Sequence, residues 1–197
     1  MEAGADFVGF VFFPPSPRAV TPEQAAGLAA LVPDHVTKVG LFVDANDATI
    51  AATLDQVPLQ ALQLHGSESV KRLGEIKSSF GLPIMKAIKV ESAEDVTQAQ
   101  NYQDVADWLL FDAKAPKNMA GALPGGNALS FDWRLLRQRD WTLPWMLCGG
   151  LDAANVAQAV SIAGATAVDV SSGVEDRPGH KDPARIRAFL SVISGLR

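Results

Sequence analysis

Short apolar runs, rich in β-branched and aromatic residues, recur along the chain with polar-faced stretches between them. The runs are Phe7-Val-Gly-Phe-Val-Phe12, Lys38-Val-Gly-Leu-Phe-Val43, Leu59-Gln-Ala-Leu-Gln-Leu64, Pro83-Ile-Met-Lys-Ala-Ile88, Trp108-Leu-Leu-Phe111, Pro144-Trp-Met-Leu147 and Thr166-Ala-Val-Asp-Val170, and they predict seven strands. Between them, residues 22–31, 47–54, 68–80, 93–102, 153–163 and 183–193 carry Ala, Leu, Glu, Gln and Lys with apolar positions three or four apart, the spacing of an amphipathic helix. Thr21, Ser92 and Asp152 predict helix starts, because their side-chain oxygens can accept from the free N–H groups of a first turn. Alternation of strand and helix predicts an α/β fold with a parallel sheet.

Seven such units in 197 residues fit an open doubly wound sheet or a (β/α)8 barrel lacking one unit. Both architectures place their sites just after the strands, where Arg18, His65, Asp112, Gly149-Gly150 and Ser171-Ser172-Gly173 fall. No polar linker, charge block, repeat or low-complexity segment divides the chain, so residues 1–197 read as a single domain. The one long irregular stretch, residues 113–130 with Pro116, Gly121, Pro124, Gly125 and Gly126, has the length of a functional loop.

Composition narrows the classes of partner. With 48% hydrophobic and 20% charged residues and a net charge of −5, the chain has the make-up of a globular protein. Its acidic balance and lack of a basic stripe argue against nucleic acid and toward a small molecule. Apolar runs such as residues 7–13 fall well short of the roughly 18 residues of a membrane span, and the opening Met1-Glu2-Ala3-Gly4-Ala5-Asp6 has no basic signal-peptide region. A lone cysteine, Cys148, predicts a reducing cytoplasm and reads as a buried small hydrophobe.

The last two strand ends carry the clearest chemistry. Leu147-Cys-Gly-Gly-Leu151 leads from a strand toward a helix, and Val168-Asp-Val-Ser-Ser-Gly-Val-Glu175 ends another strand in small residues. Glycines let backbone N–H groups approach an anion and a helix start adds a favourable dipole, so these loops could cradle a phosphate without any lysine. Each loop alone is equally well read as turn chemistry.

Taken together, Gly4-Ala-Asp-Phe-Val-Gly-Phe-Val-Phe-Phe13 with Ser16-Pro-Arg18, Gln63-Leu-His-Gly66, Phe111-Asp-Ala-Lys114, Ser130-Phe-Asp-Trp133, Gly149-Gly-Leu151 and Asp169-Val-Ser-Ser-Gly-Val-Glu175 with Lys181-Asp182 resemble the phosphoribosylanthranilate isomerases of tryptophan biosynthesis. That resemblance runs in order along essentially the whole chain. It implies a (β/α)8 TIM barrel, no metal or organic cofactor, a phosphorylated small-molecule substrate, and a monomer or weak homodimer. The implied reaction is the Amadori rearrangement of N-(5-phosphoribosyl)anthranilate to 1-(2-carboxyphenylamino)-1-deoxy-D-ribulose 5-phosphate, the third step from chorismate to tryptophan.

The same resemblance assigns residues. Opening the ribose ring needs a proton on its oxygen, and Asp112, at the end of an apolar strand where burial would raise its pKa, matches the family's general acid. An aromatic carboxylate suits the planar fork of an arginine, and Arg18 matches that position. Asp169 matches a carboxylate beside the ribose and amine, though a structural ion pair would equally explain an acid on a buried strand. His65 is read as substrate-binding or as a hydrogen-bonded structural group. Gly149, Gly150, Ser171, Ser172 and Gly173 match the phosphate site, and His180, Arg134, Arg137 and Arg139 read as surface.

Two departures stand out. The family opens on a strand ending in Lys-Ile-Cys-Gly, whose cysteine removes the ribose C2 proton, and these 197 residues contain no such stretch. The expectation is therefore a barrel missing its first βα unit, with exposed edges, no cysteine base and little isomerase activity of its own. In Gly125-Gly-Asn-Ala128 the family usually keeps another glycine near Ala128. Two other readings compete with the isomerase. One is an inactive truncated barrel that only binds phosphorylated ligands. The other is a neighbouring phosphate-binding barrel such as indole-glycerol-phosphate synthase, whose lysine and glutamate pattern is not recognisable here.

Overall fold

The computed structural model describes residues 4–116, 119, 123–137 and 139–196, so Met1, Glu2, Ala3 and Gly121 among the positions discussed above lie outside the described residues. Six strands, β1 (Phe7–Val11), β2 (Thr37–Phe42), β3 (Ala61–Leu64), β4 (Ile84–Val90), β5 (Trp108–Ala113) and β6 (Trp145–Leu147), form one parallel sheet in the order of the sequence. Helices α1 (Pro22–Ala29), α2 (Asp47–Leu54), α3 (Val70–Phe80) and α4 (Ala93–Gln98) supply the first four crossovers, a 3₁₀ turn at Trp133–Leu136 lies between β5 and β6, and α5 (Val156–Ala163) and α6 (Pro183–Ser194) follow β6. Among the described residues no helix is long and apolar enough to cross a membrane.

The sheet is curled. Phe7 on β1 packs edge-on against Trp108 on β5 with ring centroids 5.6 Å apart. Four strand spacings in a flat sheet would separate those strands by about 19 Å. Curling divides the apolar residues by their period of two. Val39, Ala61, Met85, Ala87, Leu110, Met146 and Cys148 fill the concave face, while Phe42, Leu62, Leu64, Ile84, Leu109 and Phe111 belong to the larger core. Gln63 and Asp112 stand two positions beyond Ala61 and Leu110 on their strands, so they continue the concave row at the C-terminal ends.

Local chemistry starts the helices where expected, with one exception. Thr21 with Gln24 and Ser92 with Asp95 form capping boxes before α1 and α4, and Asn46 and Ser69 cap α2 and α3. Asp152 does not cap α5. Its Oδ1 accepts from the N–H groups of Ala154 and Asn155, 2.8 and 3.0 Å away, and so closes a turn that delays the helix to Val156. The helix expected over 93–102 tightens into a 3₁₀ turn at Ala99–Tyr102.

The seventh strand is reduced to a single parallel bridge between Leu147 and Val168. Gly149 and Gly150 have φ of +91° and +62°, which takes the chain out of the extended conformation directly after β6 and leaves no length for a ladder. Instead, two short antiparallel strands, β7 (Glu175–Arg177) and β8 (His180–Lys181), form a hairpin that folds over the end of the sheet. On the other side β1 has, beyond one bridge between Val11 and Ala19, no second strand partner among the described residues.

Candidate active site

The concave face opens at the C-terminal ends of the strands into a cavity of about 630 Å³. Arg18, His65, Asp112, Asp169, Gly149, Gly150, Ser171 and Ser172 all line it, so the sequence-derived residues converge on one mouth. Gly173 does not line the cavity. A Cβ at that position would lie 1.9 Å from the carbonyl oxygen of Leu151, so Gly173 is there to let two loop backbones touch.

His65 and Asp112 reach each other across β4. His65 Nε2 is 3.1 Å from Asp112 Oδ2, and the Gln63 amide nitrogen is 2.9 Å from His65 Nδ1. The imidazole thus bridges Gln63 and Asp112 through its two ring nitrogens, which fixes the plane of the ring against the carboxyl. Asp112 Oδ1 also accepts from the Ala113 N–H at 2.8 Å. Both carboxylate oxygens are thereby held in direction, and the residue is 3% exposed. Gly125 lies over the pair, since a Cβ there would come within 2.6 Å of His65 Nε2 and 2.7 Å of Asp112 Oδ2.

Cys148 adds a third group to this wall. Its Sγ donates to Asp169 Oδ2 over 3.3 Å, so the residue is more than a small hydrophobe. Burial, with the Asp112 and Asp169 carboxylates beside it, pushes the thiol well above its usual range and keeps it protonated. Burial likewise raises the Asp169 carboxyl, with Asp112 adding to the shift and the Cys148 hydrogen bond opposing it. A carboxylate raised in this way is a better proton acceptor.

Next to this wall the two small-residue loops meet, with Gly149 against Asp112 and Gly173 against Leu151. The 3₁₀ turn Ser172–Val174 starts after Ser171 and no side chain caps it. A lysine does reach this loop, contrary to the lysine-free cradle expected from sequence: Lys181 Nζ donates to Ser171 O and Oγ at 2.8 and 3.2 Å. The β7–β8 hairpin brings it there from ten positions away. The glycine loop of residues 123–128 is shaped by Asn127, whose side chain bonds both backbone groups of Leu123 at 3.0 and 2.7 Å. Ala128 there has a φ of +56°, a left-handed conformation that explains a preference for glycine at that position.

The surface assignments hold for His180 and Arg134, whose side chains are 55% and 77% exposed. Among the described residues no group of three His, Cys, Asp or Glu side chains is arranged to hold a metal ion.

Residues 1–192 match the family described as N-(5'phosphoribosyl)anthranilate (PRA) isomerase. The chain belongs to this isomerase family. A similar relative, the N-(5'-phosphoribosyl)anthranilate isomerase of Paramagnetospirillum magneticum, is 58% identical over 197 residues, which span all of this chain and 91% of the relative. The crystal structure of the phosphoribosyl anthranilate isomerase of Thermotoga maritima is 37% identical, superposes with a TM-score of 0.86, and is covered over 98% of this chain and 90% of that one. A further crystal structure of a phosphoribosyl anthranilate isomerase, in complex with reduced 1-(o-carboxyphenylamino)-1-deoxyribulose 5-phosphate, is 36% identical with a TM-score of 0.83, over 98% of this chain and 90% of that one. The curled sheet is thus the sheet of the isomerase barrel, and the synthase reading loses its support.

Proposed function

We propose that this chain converts N-(5-phosphoribosyl)anthranilate to 1-(2-carboxyphenylamino)-1-deoxy-D-ribulose 5-phosphate by an Amadori rearrangement. The observation that carries the reading is the convergence of Arg18, Asp112 and both small-residue loops on one cavity in a chain of the isomerase family. Backbone N–H groups at Gly149-Gly150 and Ser171-Ser172 receive the phosphate, with Lys181 bracing the second loop. Gly173 supports that loop from behind. Arg18 takes the anthranilate carboxylate, and His65 fixes the direction of Asp112.

Asp112 gives its proton to the ribose ring oxygen as the C1–O bond breaks and the amine lone pair forms the C1=N bond. Loss of the C2 proton then gives an enolamine, and return of a proton to C1 with loss of the C2 hydroxyl proton leaves the ketone. The resemblance places the base for the C2 proton on a cysteine of a strand ahead of β1. Cys148, held as a thiol, is no substitute, and within these residues Asp169 is the carboxylate best suited to the task. The cavity runs past the outer edge of β1, where consecutive residues Phe7, Val8, Gly9, Phe10 and Val11 line it together with Phe189 of α6. We take that interval as the position of the barrel's first strand. Apart from that cysteine every group named belongs to these residues, so the reading calls on no partner subunit, and a biosynthetic step on a phosphorylated metabolite suits the cytoplasm.

Turnover of phosphoribosylanthranilate tests this in three arms: the 197-residue chain, the same chain preceded by the family's first strand and helix, and that extended chain with the added cysteine changed to serine. The extended chain is expected to turn over substrate, and the other two to be slower by about 10²–10⁴-fold, the usual contribution of a positioned base. Equal rates in the first two arms would put the base within these 197 residues, with Asp169 the first candidate. Folded chains with no turnover in any arm would sink the isomerase reading.

A further inference from the structure

Glu175 is 5% exposed and receives cations from two directions. Arg18 donates through Nε to Oε1 and through Nη2 to Oε2, both at 2.8 Å. Lys181 donates to Oε1 at 2.8 Å, and Arg185 Nη1 binds the Glu175 carbonyl oxygen. The Arg18 pair joins the loop after β1 to the start of β7, closing the mouth on the side where the sheet is open. Burial alone would push the Glu175 carboxyl up, but the hydrogen bonds from Arg18 and Lys181 outweigh it and hold the group below its usual range.

The geometry of this pair is the useful part. A guanidinium presents five N–H donors along two edges, and Glu175 occupies the Nε side. The Nη1 edge remains, in a side chain that lines the cavity, with Gly126 against it: a Cβ at Gly126 would lie 2.5 Å from Nη1. With Lys181 counted, the three side chains carry one net positive charge, so the second edge still attracts an anion although Arg18 is already paired.

We propose that Glu175 is the positioning residue for carboxylate recognition: it clamps one edge of Arg18 so that the other faces the anthranilate carboxylate, while Lys181 offsets its charge. This inference rests on the activity proposed above. It makes a prediction opposite to simple electrostatics. Removing a negative charge beside an anion site should tighten anion binding, whereas releasing Arg18 from its clamp should weaken it.

The test compares two probes by titration calorimetry, reduced 1-(o-carboxyphenylamino)-1-deoxyribulose 5-phosphate and the same molecule without the ring carboxylate. Their affinity ratio cancels effects on the shared phosphate and sugar. In the parent protein the carboxylated probe should bind more tightly. In Glu175→Gln its advantage should fall about tenfold, the worth of a charge-assisted hydrogen bond, with the other probe little changed. Glu175→Asp, which keeps the charge but is one methylene too short to hold both Arg18 nitrogens, should also reduce the ratio and serves if Glu175→Gln does not fold. An unchanged or larger ratio in the variants, or equal weakening of both probes, would overturn the proposal alone. A parent protein that does not distinguish the probes would overturn both it and the carboxylate role of Arg18.

Discussion

Replacing Asp112 with asparagine is expected to lower kcat for phosphoribosylanthranilate by about 10²–10⁴-fold with little change in KM or folding. The amide keeps the shape of the carboxyl and can still accept from the Ala113 N–H, 2.8 Å away in the parent, while its NH2 turns to His65 Nε2, an acceptor in one ring tautomer. What it cannot do is transfer a proton to the ribose oxygen, a loss felt in the transition state and not in substrate binding. Steady-state kinetics in a chain shown to turn over, beside thermal melting, separates the two quantities. A variant that kept the parent kcat would remove Asp112 from the role of acid.

Replacing Lys86 alone should cost about 3–5 kcal/mol of stability, because it strands a buried carboxylate. Lys86 Nζ is 2.7 Å from Glu68 Oε2, and the two side chains are 3% and 2% exposed. The ammonium also donates to Gly66 O at 2.8 Å, and Glu68 Oε1 accepts from the N–H groups of Asp44 and Gly66 at 2.8 and 3.2 Å. This network, on the outer face of the sheet, fixes the loop that follows His65. Lys86→Met should therefore melt early and shift its urea midpoint, whereas Lys86→Met with Glu68→Gln should recover much of the loss. Burial pushes the Glu68 carboxyl up, but Lys86 and the backbone N–H groups of Asp44 and of Glu68 itself outweigh it and hold the group below its usual value. A depressed carboxyl stabilises fully above its unfolded pKa and loses that contribution as pH falls through its folded one, so the gap between parent and double variant should narrow in acid. A single variant as stable as the parent would show that removing Lys86 strands no buried charge.

The sheet was legible where the alternation of side chains was strong. Strands β1 to β6 sit within a few residues of the apolar runs, and α2 spans Asp47–Leu54 as its pattern predicts. The run at 166–170 has the same composition but joins the sheet only at Val168, because the glycines after β6 set the backbone and sequence periodicity does not report φ. The β7–β8 hairpin was invisible for the opposite reason: Glu175-Asp-Arg-Pro-Gly-His-Lys181 has no apolar alternation, and contacts with Pro17, Arg18 and Ser171 hold it in place. The site divides in the same way. Asp112, His65 and the glycine loops could be found because strand ends locate them, while the role of Glu175 depends on an arginine 157 positions away.

What occupies the cavity is decided most directly by a crystal structure of this chain with reduced 1-(o-carboxyphenylamino)-1-deoxyribulose 5-phosphate. The phosphate is expected on the backbone N–H groups of Gly149-Gly150 and Ser171-Ser172, the ring carboxylate on the Nη1 edge of Arg18, and the sugar chain between Asp112 and Asp169. A ligand bound outside the cavity, or with its carboxylate and phosphate exchanged, would contradict that placement.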